Sequence, residues 1–479
     1  MIPPVRRTAF FLIALMLVFC RVHAELVVLD PAQSQGTWEG WGTSLCWWAK
    51  AFGDRDDLAD LLFTMKRVDV LGQKLPGLGM TIARYNVGAC SSEPVDGRRM
   101  AVSKAFPPYK QMEGFWIDGA HNDWRSWKWN VDTNQRAALL KARDRGADHF
   151  ELFSNSPMWW MCKNGNPSGS ENGKDDNIAP QNYGKFAAYL ATTARYAKDH
   201  WGIAFTSIEP FNEASADWWK ATGKQEGCHI SPATQAAILP LLRRELDARG
   251  LRDLPIAASD ESLYDQAVNT WRSFDPQTKA LVTKVNVHGY QYEKGDRHGL
   301  FEMTRGKTLW NSEYGENEPT GEKLARNLGL DFRDLRPTAW CYWQPFDGRG
   351  WAFIISDVAN KKLQQVNPKF FVVAQYMRHI RPGMTILTTG DAETVAALDA
   401  KNRKLVLVAH NGGDQPAGRS YDLSKFNVPD GTVAQWLTEP LGTSRYREQK
   451  GGNVSAKRLD ITLPAHSIAT FEVQNVSAL

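Results

Sequence analysis

Two glutamates one hundred residues apart each follow an apolar, strand-like run, and together they could cleave a glycosidic bond. The run Phe205–Phe211 leads to Asn212 and Glu213, and the run Thr308–Asn311 leads to Glu313. Cleaving an acetal needs one group that protonates the leaving oxygen and one carboxylate that meets the positive charge developing on the sugar. The pair therefore predicts glycoside hydrolysis. A single glutamate in either place would be explained as a solvated surface charge.

The elements that must position this pair form a repeating pattern of strands and helices. Eight strand-like runs alternate with segments of helical periodicity, which predicts an α/β fold with a parallel sheet closed into a (β/α)₈ barrel. In such a barrel the carboxyl ends of the strands meet at one mouth, so Glu213 and Glu313 would lie close together. The predicted strands are Trp38–Cys46, Thr81–Val87, His149–Ser154, Phe205–Phe211, Pro255–Ser259, Val282–Val287, Thr308–Asn311 and Thr338–Trp343.

The pattern changes near residue 385 to short alternating runs, which are typical of an antiparallel β-sandwich. We therefore predict a barrel at residues 37–383 and a C-terminal β-sandwich side domain at residues 384–479, with an N-terminal strand at residues 25–36 that joins the side domain. No Pro- or Ser-rich linker separates the two parts. They are expected to pack rigidly against each other.

Residues 1–24 have the features of a secretory signal peptide. Arg6 and Arg7 precede the apolar run Ala9–Cys20, and Val22-His-Ala24 is a small-residue cleavage pattern. The apolar run is about half of the ~20 residues that a membrane-spanning helix needs. The sequence thus predicts a secreted, extracellular protein without membrane association.

Composition gives no reason to expect a nucleic-acid partner. Without the arginines of the signal segment, 54 basic residues face 53 acidic ones. Five cysteines remain beyond that segment, and Cys162 and Cys228, in consecutive loops, are the hypothesised disulfide. Asn453 and Asn475 begin short glycosylation sequons, which predict a glycoprotein. Patterns for metal binding, for phosphate binding or for a serine nucleophile do not occur in the sequence.

A series of motifs runs along nearly the whole chain. The motifs are Gly40-Trp-Gly-Thr-Ser44 with Trp47-Trp48, Arg84-Tyr-Asn86, Ser154-Asn-Ser-Pro-Met-Trp159, Asn212-Glu213, His288-Gly-Tyr290, Trp310-Asn-Ser-Glu313 and Ile380-Arg-Pro-Gly383. In this order they resemble glycoside hydrolase family 30, and within that family the Trp-rich opening and the segment Ile208–Glu213 are most similar to the fungal endo-β-1,6-galactanases. One departure is Ala214, where many related barrel hydrolases have proline.

The resemblance implies a retaining double-displacement hydrolase that needs no cofactor and no metal. Glu213 matches the acid/base and Glu313 the nucleophile. The expected substrate is a polysaccharide or oligosaccharide, most specifically the β-1,6-galactan side chains of arabinogalactan, and the protein is expected to be a monomer. β-1,6-Glucanase, xylanase and glucosylceramidase are the alternatives within the family. A noncatalytic carbohydrate-binding protein is the alternative outside the enzyme class.

Polar and aromatic residues at the other predicted strand ends are candidates for substrate binding. Arg84 could hold Glu313 ionised, and Asn212 could bond the sugar 2-hydroxyl. Thr43 and Ser44 are the candidates for recognising the galactose 4-hydroxyl. Tryptophans could stack on sugar faces. The remaining candidates are Asn86, Asn155, His288 and Tyr290, with Trp47, Trp159 and Trp343 for stacking.

Overall fold

The computed structural model describes residues 25–479, so the predicted signal peptide lies outside the described residues. Eight parallel strands close into a barrel in which each strand pairs with the next and the last pairs with the first. This confirms the predicted (β/α)₈ fold. The barrel strands are β1 (Gly40–Ser44), β2 (Ile82–Asn86), β3 (His149–Phe153), β4 (Ser207–Glu209), β5 (Ile256–Glu261), β6 (Val282–His288), β7 (Thr308–Tyr314) and β8 (Ala339–Tyr342).

The barrel strands are buried on both faces because helices cover the outside and side chains fill the inside. Every residue of β1 and β2 is buried, without the alternation of a half-exposed strand. The glycines of β1 allow close strand pairing. A Cβ atom on Gly42 would lie 2.6 Å from the carbonyl oxygen of Ile82.

Local signals in the sequence account for several helix ends. The helix Pro232–Ala248 begins after Ser231, whose Oγ accepts a hydrogen bond from the Thr234 amide, and Pro232 fits the first helical position. Gly250 follows this helix with φ +71°, a conformation that glycine adopts freely. The α-helices are Trp48–Phe52, Asp56–Phe63, Thr133–Asp144, Tyr183–Tyr196, Pro232–Ala248, Tyr264–Ser273, Pro276–Leu281, Arg297–Met303, Glu322–Leu330 and Pro368–Met377.

A ten-stranded, mainly antiparallel sheet forms the side structure. One cluster of buried apolar side chains includes Val27 from one edge strand and Leu387 from the strand next to the other edge. The sheet therefore curves so that its two ends contribute to the same core. Both edge strands precede the barrel in sequence. In spatial order the strands are Glu25–Val28, Ala417–Asp422, Arg458–Leu463, Arg447–Ser455, Gly431–Thr438, Ser467–Gln474, Lys404–Asn411, Thr394–Asp399, Thr385–Leu387 and Ser34–Thr37.

Three small sheets complete the strand inventory of residues 25–479. Their members are Phe346–Asp347, Ile354–Asp357 and Lys362–Val366 in the first, Arg67–Val70 and Gln73–Pro76 in the second, and Phe426–Asn427 and Ser477–Ala478 in the third.

The helix Pro368–Met377 joins the barrel to the ten-stranded sheet. Gln375 donates from Nε2 to Thr438 Oγ1 at 2.9 Å, and Thr470 Oγ1 donates to the Gln375 carbonyl at 2.9 Å. Just beyond the helix, His379 Nδ1 lies 2.8 Å from Glu472 Oε1. The largest apolar cluster contains side chains of this helix together with Val406 and Ile468 of the sheet.

The five cysteines of residues 25–479 are all free, so the predicted Cys162–Cys228 disulfide is wrong for this structure. Each thiol of the predicted pair instead faces backbone carbonyls. Cys162 Sγ lies 3.8 Å from the carbonyl oxygens of Pro157 and Met158, and Cys228 Sγ lies 3.5 Å from that of His229. Over the same residues, none of the helices combines the length and the apolar character needed to cross a membrane.

Candidate active site

The two glutamates meet at the mouth of the barrel with His288 between them. Glu313 lies in β7, and Glu213 lies four residues beyond β4. Carboxylate oxygens of the two residues are no more than 4.8 Å apart. His288 Nδ1 lies 3.0 Å from Glu213 Oε1 and 3.5 Å from Glu313 Oε1. The side chains form one compact, hydrogen-bonded group.

The backbone of Glu213 is fixed in an uncommon conformation. Its φ is +49°, in the left-handed region that non-glycine residues seldom adopt and that costs of order 1–3 kcal/mol. Two contacts stabilise it: the Glu213 amide donates to the Asp260 carbonyl at 2.8 Å, and Trp219 Nε1 donates to the Glu213 carbonyl at 2.9 Å. The surroundings therefore hold the carboxyl group in one orientation.

Asp260, at the end of β5, contacts most of the groups around the glutamate pair but was not predicted from the sequence. Its Oδ2 accepts from Arg84 Nη2 at 2.6 Å and faces His288 Nε2 at 3.1 Å. Ser312 Oγ donates to Oδ1. The polar run Ser259-Asp-Glu261 at a predicted strand end was the available signal.

Buried ion pairs under the site set its charge. Arg84 Nε donates to Glu151 Oε1 at 2.8 Å, and Lys284 Nζ donates to Glu151 Oε2 at 2.6 Å. Burial opposes the charged form of His288, but Glu313 and Asp260 outweigh it and raise the pKa of His288 well above its usual value. Burial also opposes ionisation of Asp260, yet Arg84 and His288 lower its pKa. His288 is therefore a cation in the resting site.

Burial and the neighbouring cations have opposite effects on the carboxyl group of Glu313. Burial raises the pKa of Glu313 to about 7, and this effect exceeds the opposing influence of His288 and Arg84. Arg84 Nη1 is 3.4 Å from Glu313 Oε2 and lowers the pKa of Glu313, but its effect is smaller than that of burial. Three buried cations, Arg84, Lys284 and His288, face Glu151, Asp260 and the pair.

A cleft of about 750 Å³ opens above the glutamates. Its walls come from loops that follow several barrel strands, and they combine aromatic rings with basic side chains. The sequence predicted Trp47, Tyr290 and Trp343 for this wall, but it did not predict Trp218, Trp219, Trp351, Lys110, Lys224 and Arg349. Tryptophans in loops can be separated from core tryptophans only when the loop positions are known.

The predicted site residues divide into two layers. Trp47, Asn155, Asn212, Glu213, Tyr290, Glu313 and Trp343 line the cleft, whereas Thr43, Ser44, Arg84, Asn86, Trp159 and His288 lie buried beneath it. Thr43 Oγ1 contacts the Trp343 carbonyl at 3.3 Å, and Ser44 Oγ accepts from Arg84 at 3.3 Å. In this structure these two side chains contact protein groups rather than the cleft, so direct recognition of a sugar hydroxyl by them is no longer expected.

The cleft-lining groups near Glu313 are held by specific contacts. Tyr290 donates its hydroxyl proton to Glu313 Oε1 at 2.8 Å. Trp47 stands perpendicular to Trp343 with ring centroids 5.1 Å apart, and Lys110 Nζ lies 4.1 Å above the Trp47 ring. Flat rings fixed in this way offer apolar faces that complement the C–H faces of a sugar.

The close grouping of Glu213, His288 and Glu313 would also suit a metal ion by distance alone. Glu313 and Asp260 raise the pKa of His288, which favours a protonated imidazole hydrogen-bonded to carboxyl groups. The arrangement fits acid–base and nucleophilic chemistry by the carboxyl groups. A (β/α)₈ barrel with two adjacent carboxyl groups at the floor of an aromatic cleft defines the class of barrel glycoside hydrolases.

Comparison with known proteins identifies the family. Residues 24–271 match the model of O-glycosyl hydrolase family 30, and the chain belongs to this family. It is 47% identical to an endo-β-1,6-galactanase of Hypocrea rufa over 97% of this chain and 98% of the relative. Among solved structures, a conserved exported protein of Bacteroides fragilis covers 94% of this chain and all of its own length, with a TM-score of 0.76 at 19% identity. The xylanase C catalytic domain of Talaromyces cellulolyticus matches over the same shares with a TM-score of 0.70 at 17% identity.

Proposed function

We propose that this protein is an endo-β-1,6-galactanase that cuts internal links in the β-1,6-galactan side chains of arabinogalactan. The observation that carries the proposal is the 47% identity to an enzyme of that name over almost the full length of both chains. Glu213 and Glu313 lie together in the cleft, as this chemistry requires. A noncatalytic binding protein would not need two carboxyl groups within 4.8 Å of each other at the floor of its cleft.

In the proposed reaction Glu313 attacks the anomeric carbon while Glu213 gives its proton to the departing oxygen. Glu213 then removes a proton from a water molecule, whose oxygen bonds to the anomeric carbon as the ester bond to Glu313 breaks. The sugar leaves with its original configuration, and Glu313 is again a carboxylate. The short distance between the carboxylates supports retention, since their oxygens approach within 4.8 Å. Inverting enzymes separate these groups by roughly 6.5–9.5 Å to admit a water.

Neighbouring side chains would stabilise the two carboxyl groups and the substrate during the reaction. Tyr290 donates to Glu313 Oε1, and the cationic His288 faces both carboxyl groups. When Glu313 becomes an ester it loses its charge, and His288 can then stabilise the ionised Glu213 that must act as base. Asn212, in the cleft wall beside Glu213, is proposed to bond the sugar 2-hydroxyl.

Product analysis on four glycans tests the proposal. Purified enzyme is incubated with β-1,6-galactan, β-1,6-glucan, xylan and glucosylceramide, and products are separated by size. Early release of mixed galacto-oligosaccharides is expected, with the β-anomer formed first by NMR. Cleavage of another glycan instead would assign the site to that substrate. Saturable binding without release from any of the four would favour the carbohydrate-binding alternative.

We also infer a secreted monomer whose mature chain begins at Glu25. The signal-like segment and the sequons support secretion, and the proposed substrate is an extracellular polysaccharide. Amino-terminal sequencing of protein from the culture medium should return Glu25 and the residues after it. Light scattering should give the mass of one chain, and a dimer mass would contradict the monomer proposal.

A further inference from the structure

Glu226 is a fully buried carboxylate that the proposed reaction does not use. It lies in the loop that follows β4, residues 214–230, here called the β4 loop. Within residues 25–479, its hydrogen-bond donors belong to the end of β2 or to the chain just after it. Asn86 Nδ2 donates to Oε2 at 2.9 Å, while the Ala89 amide at 3.0 Å and Cys90 Sγ at 3.4 Å face Oε1. Three donors around two oxygens suit an ionised carboxylate.

The β4 loop supplies one wall of the cleft. Trp218, Trp219, Lys224 and Gln225 all line it, and the loop starts directly after Glu213. Gly227, next to Glu226, passes beneath Trp219 so closely that a Cβ atom there would lie 2.0 Å from the indole ring. A displacement of Glu226 would therefore move the aromatic wall. Elsewhere the loop is attached to other loops, for example by the Ser170 amide that donates to the Trp219 carbonyl.

The contact with Asn86 continues to a second wall. Asn86 Oδ1 accepts from the Asn155 amide at 3.1 Å, and Asn155 lines the cleft from the loop after β3. Because Asn86 uses its amide nitrogen for Glu226 and its amide oxygen for Asn155, its orientation is fixed by both partners. The hydrogen-bonded series Glu226–Asn86–Asn155 thus connects the loop after β4, the end of β2 and the loop after β3.

We propose that Glu226 is a positioning residue that fastens the β4 loop to the barrel through Asn86 and so holds Trp218, Trp219 and Lys224 against the part of the substrate next to Glu213. The proposal rests on the proposed function for its substrate. Glu226 does not touch the reacting atoms. Glu226 positions a wall that binds the sugar equally in the ground state and in the transition state. Loss of such binding raises KM more than it lowers kcat.

Paired substitutions of Glu226 and Asn86 test this link. E226Q places an amide NH₂ against the NH₂ of Asn86, and the buried charged hydrogen bond between the two residues is lost. KM should therefore rise by about tenfold or more, while kcat should change by less than about threefold. The double variant E226Q/N86D restores the match, because the carboxylate introduced at position 86 accepts from the amide introduced at position 226 and from the Asn155 amide. It should recover most of the wild-type KM. The assays are run above pH 7, since burial raises the pKa of Glu226 to about 7.

E171Q provides the matched control, because Glu171 is an exposed glutamate on the neighbouring loop and outside the cleft lining. Its kcat and KM should equal those of the wild type. An unchanged KM in E226Q overturns the proposal. A double variant whose KM is as high as that of E226Q also overturns it. A third refuting result is a loss of kcat and of thermal stability in E226Q with KM unaffected. If E226Q does not fold, E226D keeps the charge and shortens its reach, and a wild-type KM in E226D is the refuting result.

Kinetics use whichever glycan of the four-substrate panel the wild type cleaves. A wild type that cleaves a different glycan would refute the galactanase proposal and leave the Glu226 comparison intact. Wild-type cleavage of galactan with no KM effect in E226Q would refute the Glu226 proposal alone.

Discussion

At the scale of single residues, the site contains carboxyl groups that differ in their surroundings. Glu209, in β4, is fully buried, and burial together with Asp260 raises its pKa well above the usual value, which favours its neutral form. Glu213 and Glu313 share His288 and open to the cleft. These surroundings allow the three glutamates to be distinguished by experiment.

Glu213→Gln and Glu313→Gln should each lower kcat by about 10²–10⁴-fold or more, because glutamine has the shape of glutamate without its charge or its acidic proton. Kinetics on the identified glycan provide the measurement. Glu209→Gln is the matched control, since it replaces a neutral buried acid by a neutral amide and should keep nearly wild-type turnover. Azide should rescue an alanine variant at 313 with an inverted product. Near-native kcat in either glutamine variant would exclude that residue from the chemistry.

The pKa of Glu313 predicts how its replacement changes stability with pH. Its pKa rises from 4.5 to about 7 in the folded protein, so the stabilising effect of the protonated group is complete below pH 4.5 and is lost as pH rises through 7. Glu313→Gln has no ionisable group at this position, so its stability does not fall in this pH range for this reason. The variant should be more stable than the wild type by about 3 kcal/mol above pH 7, an order-of-magnitude value from the shift.

Thermal unfolding of the wild type and of Glu313→Gln across this pH range gives the comparison. The difference in Tm should disappear near pH 4.5 and grow toward neutral pH. A difference of the same size at every pH would show that ionisation of Glu313 has no cost in the fold.

At the scale of elements, the first turn of the helix Pro368–Met377 supports a cleft loop. Lys369 Nζ donates to the Gly350 carbonyl at 2.7 Å and to the Glu316 carbonyl at 3.0 Å, and it pairs with the Glu316 carboxylate. The 3₁₀ turn Arg349–Trp351 supplies two of the cleft residues. A buried cation thus joins a helix, a strand end and the wall of the site.

Lys369→Met should lower the free energy of unfolding by about 3–5 kcal/mol, because it leaves the buried Glu316 carboxylate without its partner. Denaturant unfolding measures the change. Lys369→Met combined with Glu316→Gln should lose less, since no unpaired charge then remains. Lys362→Met, at an exposed strand position, is the control and should change stability little. Equal losses in the single and double variants would mean that packing rather than charge makes Lys369 important.

At the scale of the whole molecule, barrel and sheet share one apolar cluster. The sheet also contains the strands Glu25–Val28 and Ser34–Thr37, which precede the barrel in sequence. A chain that ends at residue 384 would lose the partners of both strands and expose the apolar side of the helix Pro368–Met377. We expect such a truncation to be insoluble or to unfold without cooperativity. Expression of residues 25–384 with calorimetry tests this expectation, which a soluble and fully active fragment would contradict.

The sequence alone determined the barrel and the glutamate pair. Apolar runs that end in polar residues mark parallel strands buried on both faces, and all eight predicted strands overlap observed ones. Strand ends of a closed barrel must meet at its mouth, so Glu213 and Glu313 could be paired without coordinates.

The tertiary structure decided which other residues face the cleft. Thr43 and Ser44 lie at a strand end as expected, but neighbouring side chains cover them, whereas Trp218 and Trp351 reach the cleft from long loops. Asp260 and Glu226 gain their partners from strands and loops that are distant in sequence. Local patterns predict where a strand begins and ends, because the strand's position depends on the types of a few neighbouring residues. Contacts across the barrel depend on packing of the whole chain, which no local pattern contains.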